Sequence, residues 1–156
     1  MRKLRVDLAD VAMAMEAGDS EDAWYLDRES GSVVLVPLDL QGEDVLDPQY
    51  CAALPAWEQE WVSAAREIYL ESTRYVRVPR ESPRGEYELM LRFAESAPPP
   101  LRELLLVALD GPGAFGRFRR VLDRHPAQRG AWDRLLRDFA TGRAREWLRD
   151  LGIDPQ

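Results

Sequence analysis

Residues 101–116 read LRELLLVALDGPGAFG. The stretch ends on G-x-G-x-x-G, the glycine fingerprint of dinucleotide-binding folds, and the residues before Gly111 decide whether such a fold is present. In those folds a strand delivers the first glycine and a helix N-terminus meets the pyrophosphate. Here Leu101, Leu104, Leu105, Ala108 and Leu109 recur at helical spacing, in a segment rich in leucine rather than β-branched residues. No βαβ pattern surrounds it. The stretch therefore reads as a helix stopped by Gly111 and Pro112, a turn eased by Gly113, and a second helix on which Gly116 is an incidental small residue. Outside a strand–turn–helix setting the glycine pattern is a weak match to a nucleotide loop.

Working outward, the helical reading extends over the whole C-terminal half. Ser82 is a fitting N-cap and Pro83 a fitting first helical residue, with Tyr87, Met90, Leu91 and Ala94 as the buried stripe. The three prolines at 98–100 separate that helix from the next. Phe115, Phe118 and Leu122 anchor a short helix that Pro126 ends. A last helix from about Gln128 turns Trp132, Leu135, Leu136 and Phe139 inward, with a bend expected near Thr141–Gly142. The N-terminal half differs. Leu8, Val11, Ala12 and Met15 predict a helix that stops at Gly18. AWYLD (23–27) and SVVLV (32–36) flank a loop containing Gly31 and predict a β-hairpin. Residues 37–55, with their prolines and acids, read as a loop holding one short turn. AWEQEWVSAAREIYLES (56–72) predicts one helix, with Trp57, Trp61, Ala64, Ala65, Ile68 and Tyr69 on one side. RYVRVP (74–79) predicts a third strand, expected to join the hairpin because two strands alone are only marginally stable. The fold class is α+β: a small antiparallel sheet, made of the hairpin and a third strand, with helices, followed by a helical C-terminal half. We expect a single domain over 1–156, with a mixed α+β part (1–80) that is acidic and a helical part (81–156) with a basic face.

A chain of 156 residues can bury about 68–70% of its unfolded surface, so it needs no disulfide or metal staple. No apolar run approaches the ~20 residues of a membrane span, and MRKLRVDLAD lacks the apolar stretch of a secretory signal. Cys51 is the single cysteine and His125 the single histidine, which removes cysteine-based zinc patterns. The expected compartment is a reducing cytoplasm, and no cofactor is called for.

The net charge of −7 argues against a general nucleic-acid binder, yet it is unevenly spread. Residues 1–72 carry a net −11, and residues 73–156 a net +4. At about 100° per residue, Arg117, Arg120 and Arg124 fall opposite Phe115, Phe118 and Leu122, with Arg119 off to one flank. Two readings compete. In one, this is a solvated face whose arginines pair with acids of the N-terminal half. In the other, Arg117, Arg120 and Arg124 form an anion- or partner-binding site.

GPGAFGRFRRVLDRHP (111–126), RYVRVP, the hairpin YLDRESGSVVLV and the final EWLRDLGI together resemble a bacterial family known as uncharacterised protein family 0158. The resemblance covers residues 4 to 154 and is most specific around 108–126. The family block is similar to A-L-x-G-x-G-A-F-R-R-F, so this chain departs at Gly116, where the family pattern favours arginine. That departure implies that the basic character of the helix matters more than its third glycine. The resemblance implies a shape and no chemistry.

Catalytic candidates are few. His125 lies at a helix end, with Asp123 on a different face; the tyrosine that similar proteins often carry here implies a packed ring. Cys51 is surrounded by acids that would not lower its pKa, so it reads as a buried thiol. Asp27, Glu29, Asp39, Glu43, Asp44 and Asp47 are clustered carboxylates, but their spacing fits no EF-hand. They read as a solvated acidic loop, and a metal-dependent hydrolase built on them is the third functional expectation. The five tryptophans fall mostly on apolar faces and read as core. Because Trp24 and Tyr25 are adjacent on a strand, one of them must face outward. The leading expectation is a non-enzymatic binding or adaptor domain whose partner is another protein. A nucleic acid or phosphate ligand is the alternative.

Overall fold

The hairpin is the centre of the first unit. The computed structural model describes residues 1–16 and 21–156; the expected helix stop at Gly18 lies outside them. After β1 (Arg2–Leu4) comes α1 (Leu8–Met15), capped by Asp7, whose carboxylate accepts the Ala9 N–H at 2.8 Å. β2 (Ala23–Asp27) and β3 (Val33–Val36) form the expected antiparallel hairpin, Ala23 facing Val36 and Leu26 facing Val33. Gly31 closes the loop between them. Its φ is +80°, and a Cβ there would lie 2.1 Å from the Arg5 carbonyl oxygen, so no other residue fits.

Residues 37–55 hold more structure than expected. Two 3-10 turns (Leu38–Leu40 and Glu43–Leu46) precede α2 (Pro48–Ala52), which Asp47 caps through the Gln49 N–H. The single helix expected over 56–72 is two: α3 (Ala56–Gln59) and α4 (Val62–Leu70). The Trp61 N–H bonds to the Glu58 carbonyl three residues back, a tightening that ends a helix. Gln59 meanwhile turns its amide toward α2, donating to Cys51 O at 2.6 Å and Leu54 O at 3.0 Å. The third strand, β4 (Tyr75–Arg77), pairs antiparallel with β2 as expected, giving the order β3-β2-β4. Val36, Leu40, Val45, Ala65, Ile68 and Tyr75 form the core behind this sheet. Burial, then the Asp27 charge, pushes the Tyr75 hydroxyl pKa up to about 12.

The chain divides into two compact units, residues 1–80 with 141–156, and residues 81–140. The second unit is helical. α5 (Pro83–Ser96) starts as predicted, with Ser82 Oγ accepting the Arg84 N–H at 3.2 Å. α6 (Leu101–Ala108) and α7 (Ala114–Asp123) follow, and α8 (Pro126–Asp150) is one helix through Thr141–Gly142, its residues from Thr141 on belonging to the first unit. Pro126 opens α8 rather than closing α7, since a first-turn proline loses no helical hydrogen bond. Met90, Leu105, Phe118, Leu122 and Trp132 pack as one core. Phe93, Phe118 and Trp132 meet edge-to-face at centroid distances of 5.0 to 6.2 Å.

β5 (Ile153–Pro155), which no sequence pattern announced, runs parallel to β1, Arg2 facing Ile153. Both strands belong to the first unit. Among the described residues no helix is long and apolar enough to cross a membrane.

Candidate binding groove

Two glycines make the joint between α6 and α7. Gly111 and Gly113 have φ of +82° and +79°, a region that costs other L-residues ~1–2 kcal/mol. Gly116 is different: a Cβ there would meet nothing within 4 Å. The element before the joint is a helix, so the last carbonyls of α6 need donors from elsewhere.

Arg117 supplies them. Its Nε donates to Ala108 O at 3.0 Å, and Nη2 donates to Asp110 O at 2.5 Å and Gly111 O at 3.2 Å. Nη1 donates to Pro112 O. One guanidinium thus caps the negative end of α6, using the rigid fork that arginine alone offers. Of the three arginines expected to share a face, this one is occupied by backbone. Arg117→Ala is expected to cost about 2 kcal/mol of stability, because the charged hydrogen bonds to the carbonyls at the end of α6 are lost together. Arg117→Lys should recover little of it. Arg120→Ala and Arg124→Ala should stay within about 0.5 kcal/mol of the parent, as exposed substitutions usually do. Thermal unfolding followed by circular dichroism checks all four.

Arg120 and Arg124 are exposed, and among the described residues neither makes an ion pair. Asp123, their neighbour in sequence, pairs with Arg129, which also holds Asp133 at 3.2 Å. Arg119 lies apart, 3.9 Å from Glu86. A groove of about 500 Å³ runs along α6 and α7, lined by Leu104, Val107, Ala108 and Val121 with Arg117, Arg120, Arg124 and His125. Leu104 was expected in the core, yet it is 48% exposed and Val107 is 74% exposed. Helical spacing gave Leu104 the right side of α6 for Leu101 and Leu105, but it sits at the edge of that stripe. His125 lies 3.0 Å through Nδ1 from the Val121 carbonyl. A carbonyl can only accept, so Nδ1 carries the proton and the ring packs as a helix-end donor.

The resemblance drawn from the arginine block extends further than residues 4–154. Residues 1–156 match the uncharacterised protein family UPF0158. The chain belongs to that family. No curated protein and no solved structure matches it.

The remaining sequence candidates in this UPF0158 chain are dispersed. Asp27 is buried, accepts the Glu29 N–H and the Ser30 hydroxyl, and receives both Nε and Nη2 of Arg74 at 2.9 Å. Glu29 lies 3.4 Å from the same arginine. Asp47 is a helix cap, and the buried Cys51 thiol donates to Val45 O at 3.2 Å. Among the described residues no three His, Cys, Asp or Glu side chains are disposed to hold a metal ion. Trp57, read from the sequence as core, is 62% exposed, and its neighbour Glu58 is buried instead. The reason is the break after α3: the pattern of one long helix does not continue through it, so the stripe of α4 does not extend back to Trp57.

Proposed function

We propose that this chain is a binding or adaptor domain whose α6–α7 groove docks an acidic, amphipathic segment of a partner protein. The observation that supports the reading is the placing of exposed Leu104 and Val107 around one groove with the guanidiniums of Arg120 and Arg124, which make no ion pair among the described residues. Arg120 and Arg124 stand four residues apart, about 6 Å along the axis. Carboxylates at the same spacing on a partner helix meet both, while its apolar face covers Leu104 and Val107. A groove of about 500 Å³ is within the usual range for a few inserted side chains.

A nucleic-acid backbone fits these features less well. With Arg117 engaged by carbonyls, two arginines remain on the groove, and an overall charge of −7 repels a polyanion. Phosphates also have no use for the aliphatic floor.

The test places a photo-crosslinking amino acid at Val107, in otherwise full-length protein, in the native host. The expected adduct is a protein segment rich in acidic and apolar residues, and it should disappear in the Arg120→Glu, Arg124→Glu double variant. That segment, as a labelled peptide, should lose at least tenfold in affinity against Val107→Asp by fluorescence anisotropy. Nucleotide adducts, or peptide binding indifferent to all three substitutions, would overturn the reading.

A further inference from the structure

Trp57 and Trp61 flank a carboxylate one of whose oxygens finds no donor among the described residues. Glu58 is 4% exposed, and among the described residues its buried Oε2 has no hydrogen-bond partner. It lines a pocket of about 360 Å³ in the first unit together with Asp22, Leu38, Asp39, Trp57 and Trp61. The charged groups that act on its carboxyl are acids. Burial, then the charge of Asp39 and a hydrogen bond to it, then Asp22, raise the Glu58 pKa above the ordinary glutamate value. Asp22 itself is engaged, its carboxylate accepting the Leu38 N–H at 3.3 Å and its carbonyl accepting Arg80 Nη2 at 2.8 Å. The Tyr50 hydroxyl goes to the Asp39 carbonyl at 2.7 Å. None of these groups supplies a donor to Glu58 Oε2. A buried carboxylate facing other acids is unfavourable to the fold unless something positive joins it.

We infer that this pocket binds an organic cation, a guanidinium or ammonium head group on an aliphatic stem, held by the Glu58 and Asp39 carboxylates against the Trp57 and Trp61 rings. Indole faces attract cations that shed water readily, and a guanidinium offers donors to two carboxylates at once. The aliphatic wall of Leu35 and Leu38 suits a stem. A metal ion suits the site less well, because no metal-holding group of side chains exists among the described residues. The net −11 of residues 1–72 draws cations toward this part of the chain. The inference stands independently of the α6–α7 groove, since every residue it uses lies within the first unit.

The experiment is isothermal titration calorimetry of the full chain at low ionic strength. The probes are agmatine and the peptide acetyl-Gly-Arg-Gly-amide, against wild type, Glu58→Gln and Trp57→Ala. Both variants should weaken binding at least tenfold. Trp57 is exposed, so its removal tests the site without disturbing the fold. Glu58→Gln should also raise the melting temperature of the ligand-free protein, since it relieves an uncompensated carboxylate; a carboxylate kept for structure would give a fall. Tighter binding of agmatine points to a free small-molecule cation, and tighter binding of the peptide points to an arginine on a partner protein. No measurable heat with either probe, affinity unchanged in both variants, or displacement of agmatine by Mg²⁺ would overturn the inference.

Discussion

Phe118→Ala is expected to lower stability by about 4 kcal/mol, within the range for removing a fully buried phenylalanine. Phe118 has no exposed surface, and its ring meets Trp132 edge-on at 5.0 Å and Phe93 at 6.2 Å. Alanine forfeits the transfer energy of the ring, leaves a cavity, and breaks two aromatic contacts at once. The surrounding side chains come from α5, α6 and α8, so no single element can shift to refill the space. Phe118→Leu retains much of the volume and should cost less than half as much. Denaturant unfolding followed by near-ultraviolet circular dichroism checks both. The effect reaches the proposed docking groove, because Phe118 and Leu122 together seat α7, the helix that carries Arg120 and leads to Arg124. A loss near 1 kcal/mol would mean that the aromatic cluster is not the anchor of the helical unit.

Asp27→Ala is expected to cost about 3 kcal/mol. Removing one partner from a buried ion pair typically costs ~3–5 kcal/mol. The lower end applies because the Arg74 side chain is 25% exposed and keeps Glu67 at 3.1 Å and Glu71 at 3.5 Å. The substitution also strips the hairpin loop of the Glu29 and Ser30 hydrogen bonds. The pH dependence follows from the same contacts. The Arg74 hydrogen bonds hold the Asp27 carboxyl well below the usual carboxylate range, against the opposing effect of burial and with help from the Glu29 and Ser30 bonds. A depressed acid stabilises the fold fully above its unfolded pKa, about 3.9, and loses that contribution as the pH falls toward its folded value. The stability gap between wild type and Asp27→Asn should therefore be constant from neutral pH down to about pH 5, and should close below about pH 4. Urea unfolding at a series of pH values measures it. A gap that widened in acid would contradict the assigned sign. The same variant bears on any hydrolytic reading of Asp27, since its carboxylate is committed to Arg74 and to the turn.

Much of the architecture was legible in residue order. The Leu101 to Leu109 spacing declared a helix in front of Gly111, and that one reading separates this fold from a nucleotide-binding sheet. Gly31 between an aromatic run and a β-branched one marked the hairpin, and Ser82–Pro83 marked a helix start. The arginine helix was legible too, down to the shared side of Arg117, Arg120 and Arg124, and the family resemblance was carried by the same block. Arg117 was the residue misjudged in kind. A helix ending at a Gly-Pro-Gly joint leaves carbonyls without donors, and a long cationic side chain four residues beyond Gly113 was the available signal.

Local chemistry therefore determined the kinds of element, their stops and the direction of most apolar stripes. Those properties depend on neighbours within a few residues, through backbone sterics, caps and the helical or two-residue period. The three-dimensional arrangement alone decided the rest: the pairing of β1 with β5 from opposite ends of the chain, the exposure of Leu104 and Trp57, and the burial of Glu58. Periodicity says which side of an element a residue occupies. Whether another element covers that side depends on contacts between residues far apart in sequence.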